Sequence, residues 1–180
     1  MLKIAIVGNI ASGKSTVETL LSNKGYNVFD TDKIAHRILN SNDEIIKIFK
    51  TTDRKSIAKI VFSDKEKLHL LESIIHPQVK KELLKIFTQE NDIVFISVPQ
   101  LFEAGFETLF DKIIYITADT EIRLDRLMQR NKYTKEEALK RIYAQEETLK
   151  AEKSDFIIYN NSDIQELEKQ LNHILTELLK

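Results

Sequence analysis

The segment Gly8-Asn9-Ile10-Ala11-Ser12-Gly13-Lys14-Ser15-Thr16 constrains this chain more than any other. Its spacing fits G-x-x-x-x-G-K-S/T, and its flanks fit as well. Leu2-Lys3-Ile4-Ala5-Ile6-Val7 precedes it, an apolar run short enough for a buried strand. Val17, Leu20 and Leu21 follow at helical spacing. Strand, glycine loop and helix in that order make a phosphate-binding loop. A helix N-terminus carries unpaired N–H groups and partial positive charge, so it attracts anions. Gly8 and Gly13 allow backbone angles that a side chain blocks, so successive N–H groups can point at one phosphate. The chain has only four glycines, and two stand here. Lys14 can place its ammonium beside the β and γ oxygens of a triphosphate, and the Ser15 hydroxyl can ligate Mg²⁺.

With 180 residues the chain is most simply one domain with room for a small insertion. A net charge of −1 gives no argument for a nucleic-acid polymer as partner, and none is expected. The apolar run at the N-terminus is too short for a signal peptide or a membrane span, so no membrane partner is expected and the cytoplasm is the default compartment. The absence of cysteine excludes a disulfide framework, a thiolate zinc site and a cysteine nucleophile.

The first helix is predicted from about Lys14 to Lys24, with Gly25 placed to end it in a left-handed cap. Tyr26 to Asp30 reads as a second strand, and Asp30-Thr31-Asp32 lies at its C-terminal end, where open α/β sheets bind ligands. From Lys33 to Glu90 no strand is evident. Ile34, Ile38 and Leu39, then Ile45, Ile46 and Phe49, give helical stripes. Leu68, Leu71, Ile74 and Ile75 give another, and Val79, Leu83, Leu84 and Phe87 a further one. A crossover needs one helix, so 33–90 reads as a helical insertion that could hold a second substrate; extra packing without a ligand is the alternative. Ile93 to Val98, Lys112 to Thr117 and Phe156 to Tyr159 read as strands, the first two apolar throughout, as when helices cover both faces. Asp119-Thr120 can cap a helix marked by Leu124, Leu127 and Met128. The charged stretch from Lys132 to Lys153 reads as a helical hairpin suited to moving as a lid. The expected fold is α/β: a P-loop three-layer α/β/α arrangement with a five-stranded parallel sheet. Its parts are a nucleotide-binding core (1–32, 91–118 and 154–180), a helical insertion (33–90) and a helical lid (119–153).

Several side chains around this frame could carry chemistry. Asp30 and Asp32 flank one threonine, and in extended chain they point to opposite sides, so they would take different roles. One would serve an attacking hydroxyl as base or orienter, and the other the metal's waters or the loop. Alternatively Asp32 or Thr31 caps the next helix. His76 precedes Pro77, which pushes it off helical angles, so it is expected at a kink, facing a cleft or serving structure. Glu103 follows Pro99-Gln100-Leu101-Phe102 near the ligand edge of the sheet. Ser97 stands where many phosphate-loop proteins carry an aspartate for magnesium. The metal would then rely on Ser15, phosphates and waters, with Asp32 or Glu103 acting through water. Arg126 and Arg130 share one helical face and Arg141 lies across the hairpin. Lid arginines can stabilise charge spread over a transferring phosphoryl group. Surface pairing with Glu136, Glu137, Glu146 or Glu147 is the plainer use.

Taken in order, these stretches resemble the dephospho-coenzyme A kinase family over nearly the whole chain. The likeness rests on Gly8 to Thr16, Phe29-Asp30-Thr31-Asp32-Lys33-Ile34-Ala35, Leu71-Glu72-Ser73-Ile74-Ile75-His76-Pro77 and Val98-Pro99-Gln100-Leu101-Phe102-Glu103. It also rests on Arg126, Arg130, Arg141 and Gln145, and on Asp155 to Asn160. The resemblance implies transfer of the ATP γ-phosphate, with Mg²⁺, to the ribose 3′-hydroxyl of dephospho-CoA. Lys14, Asp32 and Arg141 would then be catalytic: Lys14 holding the migrating phosphate, Asp32 at the hydroxyl, Arg141 closing from the lid. Gly8, Ala11, Ser12, Gly13, Lys14, Ser15, Thr16, Arg130 and Asn160 would bind the nucleotide, with Asn160 by the adenine and Ser15 on the metal. Asp32, His76 and Glu103 would bind the acceptor. The chain departs from the family's pattern at Asn9, Ala11 and Gln100. Asn tolerates positive φ, whereas Ala11 requires negative φ or some strain. A related small-molecule or nucleotide kinase is one alternative. A nucleotide-dependent switch is another, but Asn131-Lys132-Tyr133-Thr134 lacks the aspartate of an N-K-x-D loop.

Overall fold

In the computed structural model, which describes residues 1–89, 92–145 and 147–180, the apolar run before the glycine loop is the central strand, β1 (Leu2–Gly8). The chain continues through α1 (Lys14–Asn23), β2 (Asn27–Asp30), α2 (Thr31–Ser41), α3 (Asp43–Phe49), α4 (Arg54–Ser63) and α5 (Lys65–Gln89). Then come β3 (Ile93–Ser97), a 3-10 turn (Glu107–Leu109), β4 (Lys112–Thr117) and α6 (Thr120–Asn131). Last are α7 (Lys135–Tyr143), α8 (Thr148–Glu152), β5 (Phe156–Tyr159) and α9 (Ile164–Leu178). The strand order is β2-β3-β1-β4-β5. β1 pairs parallel with β3 and β4, setting Ile6 opposite Ser97 and Ile114, and β4 pairs parallel with β5. The predicted five-stranded parallel sheet with covering helices is the observed fold. The chain divides into two compact units, one of Met1 with Asp30–Asn91, the other of Leu2–Phe29 with Asp92–Lys180.

In the second unit the sheet is buried on both faces, which is why its strands read as unbroken apolar runs. Ile4, Ile6, Phe95, Ile114, Ile116 and Ile158 pack on Val17 and Leu21 of α1 and on Leu167, Leu171, Ile174 and Leu175 of α9. The alternate residues Ala5, Val7, Val94, Ile96 and Tyr115 are buried as well. Gly25, at φ 88°, ends α1 as predicted. Tyr26 N–H donates to Leu21 O and Gly25 N–H to Ser22 O, the paired bonds of a left-handed helix stop. α7 begins with a capping box of Thr134 and Glu137. Asp119 stands at the N-cap of α6 but does not cap it with its side chain. Its carboxylate accepts from Asn161 Nδ2 instead, while Asn161 Oδ1 accepts from Asp119 N–H, both at 2.8 Å.

The first unit is helical, with no strand among described residues 31–89. Asn42 and Asp53 cap α3 and α4 by accepting from backbone N–H groups three residues on. The expected junction of two helices at His76-Pro77 is corrected: α5 runs unbroken from Lys65 to Gln89 with Pro77 inside it. Leu71, Ile74, Ile75, Val79, Leu83 and Phe87 keep one buried stripe in a single helical register across the proline. Burying that stripe outweighs an interior proline, which costs about 3 kcal/mol. The last residue of the expected insertion, Glu90, lies outside the described residues. No helix among the described residues is long and apolar enough to cross a membrane.

Pro77 leaves the Ser73 carbonyl without its helical N–H donor, and alanine would restore that donor. The unfolded chain gains freedom in exchange, worth up to about 1 kcal/mol. Pro77→Ala is expected to raise the unfolding free energy by about 1–2 kcal/mol in urea denaturation, the balance of these effects.

Candidate functional site

The loop is shaped by close approach at one end and by left-handed backbone in its middle. A Cβ on Gly8 would stand 2.8 Å from Ser12 Oγ and 3.0 Å from Ile116 O. Its φ is not positive, so the expectation of a special backbone angle is corrected at this residue: Gly8 provides space. Gly13 needs both properties, with φ 94° and a Cβ position 1.9 Å from Asn160 Nδ2. Ala11 also takes a left-handed conformation, φ 61°, so strain is the outcome of the two foreseen. That conformation costs a residue with a Cβ about 1–2 kcal/mol. Asn9 does not adopt positive φ. Its contribution is a buried side chain whose Oδ1 accepts from Lys150 Nζ at 3.0 Å.

Side chains from later in the chain hold the loop in this shape. Arg123 Nε donates to Ile10 O at 3.0 Å, Arg126 Nη1 to Ala11 O at 3.3 Å, and Asn160 Nδ2 to Ser12 O at 2.9 Å. Arg126 Nη2 also donates to Asn160 O at 3.0 Å. Gln145 Oε1 accepts from Ile10 N–H at 2.6 Å. Three successive carbonyls are thereby turned toward the side chains. On the inner side, Ser12 N–H donates to Asn9 O, while the N–H groups of Ala11, Gly13, Lys14 and Ser15 enter no hydrogen bond among the described residues. The Ser12 hydroxyl is buried without a partner among them. Four backbone donors and a hydroxyl at a helix N-terminus suit a polyanion.

The sequence singled out Arg126 as a lid arginine, but burial and carbonyl contacts make it part of the loop's support. Burial pushes its guanidinium below the ordinary value. Arg126 is half-buried, whereas Arg123 and Lys150, unremarked in the sequence, are buried supports. Arg123 pairs with Glu147, and Lys150 Nζ lies 3.6 Å from Glu103 Oε1. Arg123 lies four residues before the buried Leu127, so a charge within the apolar stripe was its only signal. Arg130 and Arg141 remain exposed, Arg130 donating to Asn131 Oδ1 and Arg141 lying 4.4 Å over the Tyr133 ring. Of the acidic partners weighed for the arginines, Glu146 lies outside the described residues.

Lys14 opens α1 and donates to Glu18 Oε1 at 2.6 Å and to Ser97 Oγ at the end of β3. Ser15 is exposed in the same turn. No group of three or more His, Asp or Glu side chains fit to hold a metal is present among the described residues. An exposed hydroxyl beside a polyanion site fits a magnesium ion that takes its other ligands from phosphate and water. Asp30 rather than Asp32 or Thr31 caps α2, accepting from Asp32 N–H at 2.8 Å. The opposite-sides argument for the two aspartates is corrected too, since Asp32 already lies in the helix, exposed in its first turn. His76 is half-buried within α5. Asp32 and His76 belong to the helical unit, and the loop to the other.

Comparisons with known proteins agree with one another. The family model CoaE, dephospho-CoA kinase, matches residues 2–166. A dephospho-CoA kinase from Listeria monocytogenes is 36% identical over 98% of this chain and 97% of its own length. One from Fusobacterium nucleatum is 39% identical over 93% of this chain and 94% of its own. Among solved structures, a Thermus thermophilus protein superposes with a TM-score of 0.87 at 35% identity, covering 98% of this chain and 97% of that one. The dephospho-CoA kinase of Campylobacter jejuni gives 0.74 at 32% identity, covering 98% and 96%. A shikimate kinase from Acinetobacter baumannii, at 19% identity and a TM-score of 0.59 over 100% and 96%, shares the fold.

Removing the Arg126 guanidinium deprives the Ala11 and Asn160 carbonyls of their donor and lets the left-handed turn relax. Hydrogen bonds to charged groups contribute about 1.5–3 kcal/mol, so Arg126→Ala is expected to weaken nucleotide binding about tenfold in calorimetry.

Proposed function

The chain belongs to the dephospho-CoA kinase family, and we propose that its glycine loop and the aspartate in the first turn of α2 divide the family's reaction between them. That reaction is ATP-dependent phosphorylation of dephospho-CoA, in coenzyme A biosynthesis. The observation that carries the proposed division is the polarity of the loop. The carbonyls of Ile10, Ala11 and Ser12 are bonded to side chains, and four N–H groups are left to a triphosphate.

In the proposed transfer the 3′-oxygen of the acceptor ribose attacks the γ-phosphorus, the bond to the β–γ bridging oxygen breaks, and ADP leaves. Asp32 orients the hydroxyl and receives its proton. Lys14 stabilises charge that grows on the migrating group and on the leaving oxygen. Gly8, Ala11, Ser12, Gly13, Ser15 and Thr16 contribute the loop and the first helical turn around the phosphates. Asn160 is proposed to act through the loop, because its amide donates to Ser12 O. Magnesium, when bound, neutralises charge on the phosphate oxygens. The Ser15 hydroxyl is its proposed protein ligand. Arg130 and Arg141, exposed within 119–153, are the cations proposed to close over the phosphates.

The acceptor is proposed to bind the helical unit through Asp32 and His76, with Glu103 contributing from the loop after β3. Within that unit a cavity of about 460 Å³ lies between α2 and α5, lined by Arg37 and Lys81 together with one carboxylate, Glu82. Two cations suit the pyrophosphate that dephospho-CoA carries. The cytoplasm is the proposed compartment.

The test is ATP consumption with and without dephospho-CoA, with the product's phosphate located on the ribose by phosphorus NMR. Turnover indifferent to the acceptor would overturn the reading. Lys14→Ala is expected to lower kcat by at least about 10²-fold with the fold intact by circular dichroism, as when a donor to developing charge is lost. Asp32→Asn is expected to abolish transfer while calorimetry shows ATP affinity unchanged; lost affinity would move Asp32 to the metal.

A further inference from the structure

The ammonium of Lys14 is held by an acidic partner that the loop motif does not call for. Glu18 lies one turn further along α1, its carboxylate 2.6 Å from Lys14 Nζ, and the two side chains are 18% and 19% exposed. Lysine preceding glutamate at this spacing is the less favourable order for a helix pair, so helix stability alone does not account for it. Among the described residues, the other partner of the Lys14 ammonium is the Ser97 hydroxyl at the end of β3, which brings no charge. Glu18 is therefore the carboxylate beside the phosphate-binding lysine.

We propose that Glu18 is a positioning residue that holds Lys14 against Ser97 and makes the site favour metal-bound over metal-free nucleotide. The proposal rests on the loop being the ATP site. An ammonium has three N–H donors, and two meet Glu18 and Ser97, which leaves one for a phosphate oxygen. The side chain is thus held in place by two fixed partners. A carboxylate here also repels the triphosphate. Metal-free ATP carries about four negative charges and its magnesium complex about two, so the repulsion falls mainly on the metal-free form.

The experiment is calorimetric titration of wild type, Glu18→Gln and Glu18→Asp with ATP, once in excess magnesium and once in EDTA, alongside steady-state kinetics. Glu18→Gln is expected to tighten metal-free ATP binding at least about fivefold and to change magnesium-ATP binding less, so that the preference narrows. Its kcat should fall while KM for dephospho-CoA holds. Glu18→Asp keeps the charge and should keep the preference. A preference unchanged in Glu18→Gln, or both affinities weakened in parallel, would overturn the proposal. Wild type binding neither form of ATP would overturn the assignment of the loop itself, and this proposal with it.

Discussion

Three consecutive carbonyls decide which way the phosphate loop faces. Ile10, Ala11 and Ser12 each present their oxygen to a nitrogen of Arg123, Arg126 or Asn160. A peptide plane carries its N–H opposite its C=O, so fixing the oxygens outward turns the intervening N–H groups inward. Left unbonded, the Ser12 carbonyl would be a buried acceptor without a donor, a penalty of about 1–3 kcal/mol, and the half-buried Ile10 and Ala11 carbonyls would lose their partners too. The loop's affinity for anions is therefore set as much from α6 and the end of β5 as from its own glycines. Gly13 is where the two supports meet: its missing side chain is the room that Asn160 occupies.

This view divides the arginines of the 119–153 stretch by burial. Arg123 is fully buried and Arg126 half-buried, both bonded to loop carbonyls, and Gln145 and Lys150 from the same stretch bind Ile10 and Asn9. Leu127, Ala138 and Ile142 form a small core against which Ile10 and Ala11 also pack. A lid that swung as one body from 119 to 153 would break the contacts made to Asn9, Ile10 and Ala11. The closure proposed for Arg130 and Arg141 then falls to exposed side chains rather than to the whole hairpin.

Much of this was legible in the sequence because parallel strands covered on both faces leave apolar runs that resemble nothing else. The five strands, the helix after the loop and its stop at Gly25 follow from that and from glycine's tolerance of positive φ. What escaped was decided by tertiary competition. Pro77 reads locally as a break, yet the stripe from Leu71 to Phe87 buries in one register and keeps α5 whole. Asp119 reads as a cap, but Asn161 offers it a two-bond partner. Buried cations such as Arg123 and Lys150 read as surface charges, since the Ile10 carbonyl and the Asn9 amide that accept from them lie over a hundred positions away.

Ala11 shows how that long-range support alters what the loop can accept. Alanine at φ 61° carries about 1–2 kcal/mol of backbone strain that glycine would avoid. Its methyl, however, packs with Ile10, Leu124 and Tyr133 against Leu127, Ala138 and Ile142. Burying one such group returns about 0.8 kcal/mol. The hydrogen bond from Arg126 to the same residue's carbonyl adds to that. Strain at position 11 is thus offset by contacts that exist only when α6 and α7 are in place. In this chain the methyl of residue 11 adds an apolar contact to the backbone hydrogen bonds that already couple the loop to the helices behind it, a contact that glycine would lack.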